Sequence, residues 1–190
     1  MVKVRPYDPC DKEDVREVCI VTGPSAARDD AKVRAWLLSS FCDYYIEQEP
    51  DNCFVLADMN DKAVGYILCA EDYYSYKRTY LNRYVKAAKK QGGILAAIRT
   101  AVVVIPQWFY AKKYPAHLHI DIQPYYQRQG WGSKMMDALL DHLRQKGVKA
   151  VMLIVGAYNK KGINFYKKYG FHEISRFFGS VAMGMELNND

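Results

Sequence analysis

Between Gln127 and Gly132 the chain reads Gln-Arg-Gln-Gly-Trp-Gly, and Met135, Met136, Leu139, Leu140 and Leu143 follow at the i, i+3, i+4 spacing of a helix. A strand that turns through glycines into a helix start is an anion receptor. The glycines let the main chain approach a ligand, and free N–H groups sit at the positive end of the helix dipole. Arg128 and Lys134 add mobile positive charge on the rim, and the anion most simply implied is a pyrophosphate. Just upstream, His117, His119 and Asp121 alternate with Leu118, Ile120 and Ile122, so one face of a strand carries three titratable groups. Asp121 and His119 are candidate proton acceptors, because a desolvated carboxylate has a raised pKa and an imidazole titrates near neutrality. The same pattern also suits a hydrogen-bonded polar face. Zinc is not indicated: positions i, i+2 and i+4 of one strand, with no further ligand cluster, do not surround a metal.

Two familiar phosphate loops do not fit. A Walker A loop needs G-x-x-x-x-G-K-[ST], whereas Gly132 is followed by Ser133-Lys134. A dinucleotide-binding loop needs a third glycine where Met135 stands.

The elements around this segment are readable. Val2 to Tyr7 alternates as a strand, Asp11 is a predicted cap of the first helix, and Gly23-Pro24-Ser25 ends that helix. Helical spacing then runs over Asp30 to Gln48, followed by strands Asn52 to Ala57 and Ala63 to Ala70 around a turn at Met59 to Lys62. A long insertion, about 71–116, has helical character broken at Gly92-Gly93 and carries Tyr73, Tyr74, Tyr76, Tyr80 and Tyr84, then Trp108, Phe109, Tyr110 and Tyr114. These aromatics suit a small core between insertion and sheet, or the wall of an acceptor groove. The apolar run Lys149 to Val155 predicts a strand buried on both faces. Asn159 caps a further helix ended by Gly170, Phe171 to Leu187 forms two strands, and residues 188–190 are expected to fray. The whole reads as one domain, 1–190, of α/β or α+β class.

Gln127 to Gly132 after Ile122-Gln123-Pro124 resembles the acetyl-coenzyme A signature of the GNAT superfamily of N-acetyltransferases, [QR]-x-x-G-x-[GA] after V/I-x-P. Asn159 to Phe171 resembles that family's second signature, N-x-x-A-x-x-[LF]-Y-x-x-x-G-F, at every position except Gly162, where the family usually has alanine. Both occur in order, separated by one strand. The block His117 to Met136 and the tyrosines before it are similar, more narrowly, to the acetyltransferase-like domain that accompanies O-GlcNAcase and to its free-standing bacterial relatives. The resemblance implies a mixed, twisted sheet of about seven strands flanked by helices, with the helical insertion before the central strand. It also implies acetyl-CoA as cosubstrate, no metal, and transfer of an acetyl group to a primary amine by direct attack.

On that resemblance, Ile120, Asp121 and Ile122 would hold the pantetheine arm by main-chain hydrogen bonds. Arg128, Gln129, Gly130, Trp131, Gly132 and Ser133 would cradle the pyrophosphate. Asn159 would touch the coenzyme arm and Tyr166 would face the sulfur as general acid, a role open to a phenol beside a thiolate. Many relatives place a glutamate on the fifth strand, five residues before the asparagine, but that position here is Ile154. Asp121, nearest the strand end where the thioester should lie, is therefore the first choice as base and His119 the second. The missing carboxylate keeps open a pseudo-acetyltransferase that binds acetyl-CoA as an interaction module without catalysis.

Composition sets the remaining bounds. Half of the 190 residues are hydrophobic and a quarter charged, an ordinary soluble composition. No apolar run reaches membrane-spanning length and no signal region opens the chain, so neither membrane nor secretion is expected and a cytoplasmic location is. Five widely spaced cysteines without a CxxC read as buried free thiols. The net charge of +6 comes from basic residues read as dispersed among acidic ones, and a phosphate-rich coenzyme would occupy some of them, which argues against nucleic acid. The acceptor stays open among protein lysine, N-terminal amine, aminosugar and small amine, as does the choice of monomer or homodimer.

Overall fold

Alternating residues open the chain as strand β1 (Lys3–Pro6), and the computed structural model, which describes residues 1–187, continues through a 3-10 turn (Pro9–Asp11) into helix α1 (Lys12–Thr22). Asp11 does not act as the predicted side-chain cap of that helix. Asp8 caps the 3-10 turn instead, accepting from the Cys10 N–H, while the Asp11 carboxylate takes both arms of the Arg5 guanidinium at 2.7 and 2.8 Å. A carboxylate as buried as this one needs a bidentate cation more than a helix needs a cap.

The stretch 30–48 divides in two. After α2 (Ala26–Asp29), helix α3 (Ala31–Phe41) starts at the Asp30 cap, which accepts from the N–H groups of Lys32 and Val33. Cys42, at φ −133°, leaves helical space and α4 (Asp43–Gln48) restarts beyond it. Strands β2 (Cys53–Ala57) and β3 (Ala63–Ala70) form the expected hairpin. The insertion comprises α5 (Tyr73–Thr79), a π-helical turn (Tyr80–Tyr84), α6 (Val85–Val102) and α7 (Val104–Trp108). Gly93, at φ 81° and ψ −173°, kinks α6 at the predicted break, a conformation only glycine adopts without strain. Tyr73, Tyr76, Tyr80 and Tyr84 are buried with Tyr44 and Tyr45 in one core, whereas Tyr74, Trp108 and Phe109 are exposed.

Strand β4 (Ala116–Ile122) leads through a 3-10 turn (Pro124–Tyr126) to α8 (Trp131–Gln145). Then come β5 (Ala150–Gly156), α9 (Lys160–Lys168), β6 (His172–Phe177) and β7 (Ser180–Glu186). The seven strands form one sheet in the order β1-β2-β3-β4-β5-β7-β6, and among the described residues β4 and β5 are its one parallel pair. One face carries the tyrosine-rich core with α1, α3, α4 and the insertion; the other packs Met135, Met136, Leu139 and Leu143 of α8 against Leu56, Ile67 and Leu153. The predicted frayed end, 188–190, lies outside the described residues. The cysteines are unpaired as expected, but Cys10 is exposed and only the other four are buried. Among the described residues, no helix is long and apolar enough to cross a membrane and no three His, Cys, Asp or Glu side chains are placed to hold a metal.

Candidate active site

Strands β4 and β5 start together and then part. Their register holds Ala116 against Val151 and His117 against Met152, and no later residue of β4 pairs with β5. From Leu118 onward the sheet therefore has an opening in its middle. Main-chain direction along its wall follows from one bond. Gln123 N–H donates to the Val64 carbonyl at 2.9 Å, so by alternation His119 and Asp121 also direct their main-chain groups to β3, and Ile120 and Ile122 direct theirs to the opening. The Ile122 carbonyl is already taken, accepting from Gln127 Nε2 at 2.7 Å. The Ile120 N–H and C=O and the Ile122 N–H remain, while Asp121 contributes a side chain but no main-chain group to this wall.

The opening ends at the glycine loop. Arg128 and Gly130 have φ of 61° and 83°, and this left-handed geometry turns successive amides toward one side, as in anion-binding nests. The N–H groups of Ser133 and Lys134 both donate to the Gly130 carbonyl. Those of Arg128, Gln129, Gly130, Trp131 and Gly132 have no acceptor among the described residues. The Gln129 side chain is committed to the Tyr125 carbonyl at 2.8 Å, so its main-chain amide alone is offered to a ligand. Lys134 Nζ lies 4.3 Å from the Trp131 ring centroid, and the Tyr169 hydroxyl donates to the Ser133 carbonyl at 2.9 Å, tying α9 to the start of α8. Backbone donors, dipole and cationic rim together suit a diphosphate.

Titratable groups gather under the β4 side of the opening. The Tyr66 hydroxyl donates to Asp121 Oδ2 at 2.7 Å. Burial pushes the Asp121 carboxyl up to about 6, against the Tyr66 and Thr22 hydroxyls, which pull it down. His117 and His119 both meet the Tyr45 hydroxyl through Nε2, at 2.9 and 3.0 Å. Tyr45 has one proton to give, so at least one ring must donate to it. Burial drives His119 down to about 4 and His117 well below the ordinary imidazole range. Both rings are therefore neutral at pH 7, and Asp121 is better matched than His119 to accept a proton there.

Tyr166, the seventh residue of α9, is partly buried beside Phe165 and Phe171, and its hydroxyl has no protein partner among the described residues. Burial, then the negative charge of Asp121, raises its pKa, so the phenol stays protonated at neutral pH. Asn159 caps α9 by accepting from the Gly162 N–H at 2.9 Å, which leaves its amide nitrogen for other contacts. A Cβ at position 162 would stand 2.6 Å from that nitrogen, so glycine in place of the usual alanine accommodates this cap. Ile154 lies in an apolar cluster with Tyr110, Ile174 and Phe177, no setting for a carboxylate. Tyr66 and Tyr45, which hold the titratable residues, were not singled out from sequence. Tyr66 stands within an apolar strand run, and only its register with Asp121 marks it.

The chain is similar to known proteins in sequence and in fold. Residues 24–171 match the family model described as Acetyltransferase (GNAT) family. The chain is 33% identical over 91 residues to the [ribosomal protein bS18]-alanine N-acetyltransferase of Escherichia coli K12, covering 48% of this chain and 57% of that enzyme. It thus spans little more than half the length of the first curated relatives it matches. It is 23% identical over 143 residues to N-alpha-acetyltransferase 30 of Schizosaccharomyces pombe, covering 75% of this chain and 72% of the relative. Among solved structures, SsHAT superposes with a TM-score of 0.82 over 98% of both chains at 28% identity. PH1933 from Pyrococcus horikoshii OT3 shares the fold with a TM-score of 0.69 over 99% of both chains at 19% identity.

Proposed function

As the chain belongs to the GNAT acetyltransferase family, whose acyl donor is acetyl-CoA, we propose that it transfers an acetyl group from acetyl-CoA to a primary amine by direct attack on the thioester. The observation that carries this reading is the parting of β4 from β5, which leaves main-chain groups of Ile120 and Ile122 unpaired just before the unpaired amides of Arg128 to Gly132. Ile120 and Ile122 hold the pantetheine arm, the amides from Arg128 to Gly132 hold the pyrophosphate, and Ser133 and Asn159 complete the coenzyme contacts. The bound coenzyme supplies the activated acyl group. Asp121 accepts the proton of the attacking amine and Tyr166 provides one to the departing sulfur, each adding general acid–base catalysis. His119 shares the face of Asp121 but is too weakly basic to be the principal acceptor.

Two relatives are named for acetylating an alanine of a ribosomal protein and for N-alpha-acetylation. A protein α-amine is thus the first acceptor to test, ahead of lysine, aminosugars and small amines. The proton balance points the same way. A base near 6 lies about two pKa steps from an α-amine, ordinarily near 7.7–8.0, but about four from a lysine at roughly 10.4. The narrower likeness to the acetyltransferase-like domain that accompanies O-GlcNAcase belongs to this proposal and rests on the sequence block His117 to Met136.

Calorimetry with acetyl-CoA, followed by an acceptor screen that measures release of free thiol, tests the reading. Binding at micromolar coenzyme with amine-stimulated thiol release is expected. Absence of binding at sub-millimolar coenzyme would overturn it, and binding without turnover on any amine would favour the non-catalytic binding module.

A further inference from the structure

Helix α6 is turned the wrong way round for a surface helix. Its buried positions are small, namely Ala88, Gly92, Ala96, Ala97 and Thr100, and a Cβ on Gly92 would stand 3.1 Å from the Lys32 carbonyl on α3. Its large apolar side chains point outward. Ile94, Ile98 and Val102, continued past the helix by Ile105, Trp108 and Phe109, are each 49–68% exposed. Their three- and four-residue spacing lines most of them up in one stripe. The stripe runs on into a groove of about 590 Å³ shared with Phe177 and Phe178 of the β6–β7 hairpin. A contiguous apolar patch of this kind marks a contact surface.

The charge around it is segregated. From Tyr73 to Ile120 the chain holds nine of its 27 basic residues and none of its 21 acidic ones, so the rest of the chain is net negative and the dispersal read over the whole sequence fails here. All of these nine but Arg83 and Lys113 lack an acidic partner among the described residues. Lys77 lies over the Trp108 ring at 6.0 Å from its centroid, and Arg99 is exposed beside Ile98.

We propose that this face docks on an anionic lipid surface, with α6 and α7 in the plane of the interface, the stripe among the acyl chains and the flanking cations at the headgroups. Apolar residues with Trp and Phe on one side and Lys and Arg around them are the composition of interfacial helices. A second copy seated on the same face would oppose like charge to like. Nucleic acid would leave the aliphatic stripe without a partner. The contact needs no spanning helix, and it departs from the sequence expectation that no membrane is a partner of this chain.

Co-sedimentation of the whole chain with vesicles of phosphatidylcholine plus phosphatidylglycerol, against vesicles of phosphatidylcholine alone, tests this. Binding to the anionic vesicles alone is expected, with a blue-shifted tryptophan emission that Trp108→Phe removes. Replacing Lys77 and Arg99 together by Gln should weaken it about tenfold or more. Ile98→Gln with Ile105→Gln should abolish it at an unchanged thermal midpoint, because both side chains are exposed. No binding at millimolar lipid, or equal binding to both vesicle types, would overturn the proposal. So would a dimer in sedimentation equilibrium that the isoleucine replacements dissociate.

Discussion

Tyr66 and Asp121 are register partners on β3 and β4, and the tyrosine hydroxyl donates to the carboxylate at 2.7 Å. Burial alone would drive Asp121 toward its neutral form; this donor, with the Thr22 hydroxyl, holds it near 6, where it is mostly ionised at neutral pH yet still basic enough to take a proton. Tyr66 is in this sense a positioning and tuning residue for Asp121.

Tyr66→Phe removes that donor and leaves the carboxylate less stabilised. The acidic limb of kcat/KM against pH should move upward, from about pH 6 to about pH 7–8, since a hydrogen bond to a charged group contributes roughly 1.5–3 kcal/mol, about one to two pKa units. A purely structural role for Tyr66 would lower activity without moving the limb.

Asp121→Asn should lower turnover on a found acceptor by about 100-fold or more while acetyl-CoA affinity by calorimetry changes little. The same change should stabilise the fold. A carboxyl whose folded pKa is raised favours the native state while protonated and loses that advantage as pH rises through about 6. Wild type and variant should therefore be equally stable below about pH 4, the ordinary carboxylate range, and the variant more stable by on the order of 3 kcal/mol above pH 6. Urea unfolding at pH 4 and pH 8 measures both limits.

Tyr166→Phe deletes a hydroxyl that has no protein partner, so stability should stay within about 0.5 kcal/mol and coenzyme affinity should hold. Turnover should fall by about 100-fold, and restoring it with a more acidic thioester leaving group would identify the lost step as protonation of the sulfur. A large affinity loss would instead assign Tyr166 to packing.

The two loop glycines should respond differently to alanine. Gly130 sits at φ +83° with open space around it, so Gly130→Ala meets no clash but forces a left-handed L-residue and should cost about 1–2 kcal/mol in urea unfolding, with weaker acetyl-CoA binding. Gly132 has no such φ, and an added Cβ would touch Phe165 at 3.5 Å, an ordinary contact. Gly132→Ala should therefore change stability by less than about 0.5 kcal/mol.

Loop, helices and strands were legible because each is a short-range matter. A positive φ at Gly130, the Asn159 cap, the glycine kink in α6 and the alternation of β4 all follow from residues within a few positions of one another. Local spacing misleads where packing, not the local pattern, sets a residue's partner, backbone angle or exposure. Asp11 reads as a cap locally, but Arg5 on the adjacent strand claims it. The 30–48 helical pattern continues past Cys42, where the packed chain leaves helical space. Cys10 reads as a core thiol but stands on an exposed turn.

That a strand carrying Asp121 runs through glycines into a helix, and that a tyrosine-bearing helix follows one strand later, can be read from the residues alone, because both depend on local conformational preference. Which residues tune that strand emerges from the packed fold. Tyr66 reaches Asp121 across 55 positions and Tyr45 reaches His117 across 72, contacts set by sheet register and helix packing that no local pattern encodes. The parting of β4 from β5 is likewise a property of the whole sheet: two strands that begin as hydrogen-bonded neighbours and then diverge leave main-chain groups unpaired, and those groups are what a coenzyme can use.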